Sequence, residues 1–136
     1  MSIRLRYKVG VTISSTEAEE KDLGNSLAEV VNSELNEGGT WKTVIGAAAT
    51  DVPVQLGNVA SVAFISIRTL SKDPTLPPED IALKFNSTGA TPLTISPIGA
   101  TAKEGNLVLT TSGLTSLYAS NASSTVMEIL VSVAGD

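Results

Sequence analysis

The sequence predicts an all-β chain: a jelly-roll-like antiparallel sandwich of about eight or nine strands with one N-terminal helix. Three observations lead to this expectation. Beyond residue 39, short apolar runs recur at roughly ten-residue spacing, each closed by turn-forming residues, with no helical period between them. The polarity of that long segment comes from serine and threonine, since residues 38–136 hold only five bases and seven acids. An apolar period of a helix occurs once, near the start. At 136 residues and 14.0 kDa, residues 1–136 read as a single sandwich domain with a real core, in which residues 1–39 form a strand-helix arm.

In the opening segment, Ile3, Leu5, Tyr7, Val9, Val11 and Ile13 alternate with Ser2, Arg4, Arg6, Lys8, Gly10 and Thr12, the period of a long half-buried strand. Thr16 followed by Glu19, and Ser26 followed by Glu29, fit the capping box of a helix start. Leu23, Leu27, Val30, Val31 and Leu35 then share one helical face, and Gly38-Gly39 supplies a stop, which predicts a helix over about 26–36. The strand-like runs that follow are Thr40–Ala49, Val52–Leu56, Ser61–Leu70, Ile81–Asn86, Leu93–Ile98, Asn106–Thr111, Leu114–Asn121 and Thr125–Ala134. Their punctuation includes Leu56-Gly57-Asn58, Ser87-Thr88-Gly89, Glu104-Gly105-Asn106 and Ser112-Gly113. The proline-rich stretch Ser71–Asp80 reads as a stiff surface loop.

Two runs lack a clean polar face. Ser61–Leu70 sets Val62 and Phe64 against Ala63, Ile65 and Ile67, while Thr125–Ala134 sets Met127, Ile129, Val131 and Val133 against Val126 and Leu130. The second face is covered either within the fold, by a loop or the helix, or by another subunit, which makes Val126 and Leu130 candidate partner contacts.

Composition narrows the chemistry. With neither cysteine nor histidine, thiol nucleophiles, Ser-His-Asp triads, zinc sites, haem-ligating histidines and histidine pH switches are excluded. A net charge of −5 and a pI near 4.6 oppose binding to nucleic acid. No stretch approaches the ~20 apolar residues of a membrane span, so the chain reads as soluble. Acids remain as candidates at Glu79-Asp80 and in the run Glu17, Glu19, Glu20 and Asp22, but neither lies among apolar residues that would raise a carboxyl pKa, and neither has the spacing of a calcium loop. There is no phosphate-cradling glycine motif, and no cofactor or metal is expected. Asn86-Ser87-Thr88 and Asn121-Ala122-Ser123 match the glycosylation acceptor pattern, which turn chemistry equally explains.

Charge is polarised at the N-terminus. Arg4, Arg6 and Lys8 lie on one side of the first strand, and residues 9–37 carry seven acids against Lys21 alone. The three bases either protect a sheet edge or complement an acidic partner surface. Among the aromatic residues, Trp41, just after Gly38-Gly39-Thr40, is the best candidate for an exposed ring.

In the C-terminal half, the strings DIALKFN (Asp80–Asn86), TPLTISPIG, GNLVLTTSGLTSLYASNASS and TVMEILVSVAGD follow one another. This cadence, above all Leu114–Asn121 and the ending Ala134-Gly135-Asp136, resembles the small all-β accessory virion proteins of tailed bacteriophages. The resemblance covers about residues 60–136 and implies a structural role: capsid decoration or cement, head fibre, or minor head or neck component. It also implies a location in the virion, a commonly trimeric assembly, and contacts with the major capsid or other virion proteins. It carries over no catalytic residues, and an enzyme is not expected. The alternative is a carbohydrate- or receptor-binding module of a tail fibre, which requires an exposed ring at Trp41 or Tyr118 and a groove of convergent polar groups. A glycan-active enzyme would require two acids facing across a cleft.

Overall fold

The computed structural model describes residues 3–14, 22–35, 37–98 and 103–136, the first two stretches as backbone. The chain divides into two compact units between Leu35 and Asn36.

The first unit pairs β1 (Ile3–Ser14) antiparallel with β2 (Asp22–Leu35). Tyr7 stands opposite Val30, Lys8 opposite Glu29 and Val11 opposite Ser26, with register shifts near both ends. The alternating first strand therefore forms as the sequence predicts. The helix expected over about 26–36 does not: those residues lie in β2 up to Leu35, and Ser26 and Glu29 are ladder positions in place of a capping box. Thr16 and Glu19 lie outside the described residues. The physical reason is a local preference overruled by pairing. Asn25, Ser26, Val30, Val31, Asn32 and Ser33 are mediocre helix formers. A strand of 12 residues also presents a full row of N–H and C=O groups that a neighbouring strand satisfies.

The second unit holds two four-stranded antiparallel sheets. Its strands are β3 (Glu37–Ile45), β4 (Val52–Pro53), β5 (Val62–Ser71), β6 (Ile81–Phe85), β7 (Leu93–Ile95), β8 (Gly105–Leu114), β9 (Leu117–Ser120) and β10 (Met127–Gly135). Each turn-bounded run of the sequence holds one of them. One sheet has the order β3-β10-β5-β8 and the other β4-β9-β6-β7, so consecutive strands repeatedly change sheet. Gly38 and Gly39, expected to stop a helix, instead open the first sheet, where they face Ala134 and Val133.

The two sheets share one core, as in a β-sandwich. Ile45, Ile65, Ile67, Ile129 and Val131 come from the first sheet, and Ile81, Leu83, Ile95, Leu117 and Ala119 from the second. Alternation sorts the faces: in β5, Ile65, Ile67 and Thr69 are buried while Ser66 and Arg68 face outward. The sorting also explains Gly105, because a Cβ there would collide with Ile95 and Thr69 beneath it. Among the described residues, the buried Thr69 hydroxyl has no hydrogen-bond partner.

Candidate functional site

On the outer face of the β3-β10-β5-β8 sheet the register centres one of the sequence's candidates, Leu130. Antiparallel pairing aligns Val44, Glu128 and Leu70 in one row, Lys42, Leu130, Arg68 and Asn106 in the next, and Thr40, Ser132, Ser66 and Val108 in a third. Leu130 is half-buried at the centre, flanked by two bases that are each tied to an acid. Lys42 Nζ lies 3.6 Å from Glu128. Arg68 donates two hydrogen bonds to Glu104, at 2.6 and 2.9 Å, and this guanidinium holds the Glu104 carboxyl below the usual carboxylate range. The Thr40 and Ser132 hydroxyls are 3.0 Å apart. The face is therefore a mosaic of neutral hydroxyls, aliphatic side chains and paired charges.

Val126 is not part of this face. It lies just before β10 and lines a depression of about 400 Å³ with Lys72, Asp73, Leu76, Ser124 and Thr125. Asp73 is committed to its own turn, accepting from the Thr75 hydroxyl at 2.7 Å and the Thr75 amide at 2.9 Å, and the two bonds lower its pKa.

Trp41 is half-buried against the core. Its ring fills the space over Gly39 and Gly57, where a Cβ at either glycine would strike it. Gly57 also sits at φ +65°, so glycine is required there twice over. Tyr118 is half-buried on the outer side of the second sheet, opposite Lys84. Arg4, Arg6 and Lys8 belong to the first unit: Arg6 stands opposite Val31, Lys8 opposite Glu29, and Arg4 falls at a register shift.

Glu79 is half-buried with its amide directed at the Met127 sulfur, 3.4 Å away, and Asp80 is exposed. Among the described residues, no group of three acids could hold a metal ion.

The two asparagine triplets separate. Asn86, exposed at φ 64°, accepts from the Thr115 amide at 2.8 Å and donates to the Gly113 carbonyl at 2.8 Å, closing one turn on another. Asn121 is wholly buried. Its amide donates to the carbonyls of Thr125 at 2.7 Å and Gly46 at 3.2 Å, and its carbonyl accepts from the Ser123 amide and hydroxyl. A glycan on Asn121 is incompatible with this fold. Sequence reasoning missed a polar cluster on the second sheet, where Asp51 Oδ1 meets Lys84 Nζ at 2.9 Å and the Asp51 amide donates to Ser120 Oγ at 2.9 Å. Its members lie far apart in sequence, and only the pairing of β9 with both β4 and β6 brings them together.

Compared with family models, curated proteins and solved structures, the chain matches none.

Proposed function

We propose that this chain is a structural virion accessory protein that associates with copies of itself and attaches to a phage capsid or neck in a decoration or cement role. The strand order carries the reading. Eight strands that run β3-β10-β5-β8 over β4-β9-β6-β7 support a jelly-roll reading, an architecture used by viral capsid and lectin domains. The mosaic of hydroxyls, aliphatic side chains and paired charges around Leu130 supports assembly over chemistry. A lectin-like role draws less support, since the Trp41 ring is spent on packing. The N-terminal unit, with Arg4, Arg6 and Lys8 along one strand, is the proposed docking arm.

Quantitative mass spectrometry of purified particles from the encoding phage tests this. The chain should appear at a fixed ratio to the major capsid protein, with density for it on the capsid or neck by cryo-electron microscopy. Its absence from such particles overturns the reading.

A further inference from the structure

We infer that the edge of β8 left open among the described residues is a self-pairing surface, on which a second copy of this chain adds its own β8 antiparallel to make one continuous eight-stranded sheet. Sheet edges are normally blunted by brevity, charge, proline or cover, because an open ladder pairs with whatever strand meets it. Among the described residues, the molecule's other edges follow that rule. β4 and β7 are 2 and 3 residues long, and β3 carries Glu37 and Lys42. The strand β8 departs from it over Gly105–Thr110, ahead of the register shift that separates Thr110 from Leu114. Its 10 residues, Gly105–Leu114, include no charged residue and no proline, and among the described residues it pairs with β5 alone.

Both faces of this edge are incompletely covered. Leu107 and Leu109 point to the core yet are only partly buried, and Val108 on the outer side is 44% exposed. An added strand would cover all three. The occupant is a second copy because a two-fold pair sets a strand against itself, so any charge near the axis faces its own kind; an uncharged run is what such pairing demands. Centred on Leu109, the pairing places Val108 opposite Thr110 of the second copy and keeps the outer faces of both sheets on one side. This interface differs from the three-fold assembly implied by the resemblance, and the two predict different masses.

The test is light scattering coupled to size exclusion at micromolar concentration on the full chain. The expected mass is twice 14.0 kDa. Val108→Lys with Thr110→Lys, both at exposed positions, should raise the dissociation constant at least tenfold. Val44→Lys, at an equally exposed position on the opposite edge, should leave the pair intact. Hydrogen exchange supplies a second readout: the alternate amides of Asn106–Thr111 that point away from β5 should lose protection on dilution while those of β10 keep theirs. A mass of one or three copies overturns the pairing, as does a double-lysine variant that stays paired or a Val44→Lys variant that falls apart equally. None of these results bears on whether the chain is found in particles.

Discussion

Asn121 and Asn86 occupy the same Asn-x-Ser/Thr pattern, and burial divides them. Asn121 joins the end of β3, the loop before β10 and its own turn through five hydrogen-bonding partners, all in a site closed to water. Asn121→Ala strands those carbonyls and donors, and the expected loss is roughly 2–4 kcal/mol in a urea melt, against about 1 kcal/mol for exposed Asn86→Ala. Equal losses would mean that burial does not govern these two sites. Gly57→Ala is expected to cost a similar roughly 2–4 kcal/mol, because it combines a left-handed backbone with a side chain driven into the Trp41 ring. Tryptophan emission should shift to longer wavelength as the ring is displaced. Neither role was legible from sequence: a glycine in Leu56-Gly57-Asn58 marks a turn, but nothing in the string shows that a ring from β3 rests on it.

At the scale of elements, the strands were legible and their partners were not. Short apolar runs closed by turn residues mark each of β3 to β10, because these are local preferences. Strand order is a property of long-range pairing, and β2 shows the cost of reading locally: Leu23, Leu27 and Leu35 fit a helix, yet β1 draws the segment into a ladder. The Arg68–Glu104 pair offers a test at this scale, since it ties β5 to the residue before β8. The folded carboxyl titrates below its unfolded value, so its contribution is present above the unfolded pKa of 4.5 and is lost as pH falls through the lower folded value. Stability measured from pH 6 down to pH 3 should therefore fall less steeply in Glu104→Gln than in the parent. The whole effect should stay under about 1 kcal/mol, because the pair is exposed to solvent. Identical slopes would show that the pair does not couple the two strands.

For the whole molecule, the division at Leu35/Asn36 leaves all of the described core with the second unit. Residues 36–136 alone should fold with a cooperative melt and a strand-rich circular dichroism spectrum. A truncated chain without a cooperative transition would show that the first unit completes the core. Replacing Arg4, Arg6 and Lys8 together with glutamate should weaken particle attachment more at low salt than at high salt, because exposed charges are screened over ~10 Å at 0.1 M. Attachment that ignores the change would reduce those bases to edge protection.

The position of β10 between β3 and β5 also has a consequence for biosynthesis. Leu130 pairs with Lys42 on one side and with Arg68 on the other, so the central strand of the first sheet is the last of its four to leave the ribosome. Until Met127–Gly135 emerges, β3 lacks its partner in this sheet and β5 has β8 alone. Long-range closure of this kind is slow, and it leaves the nascent chain exposed to neighbours on the same message. A ribosome stalled before residue 127 would hold a chain unable to bury Ile65 and Ile67, however well each of its hairpins had already formed.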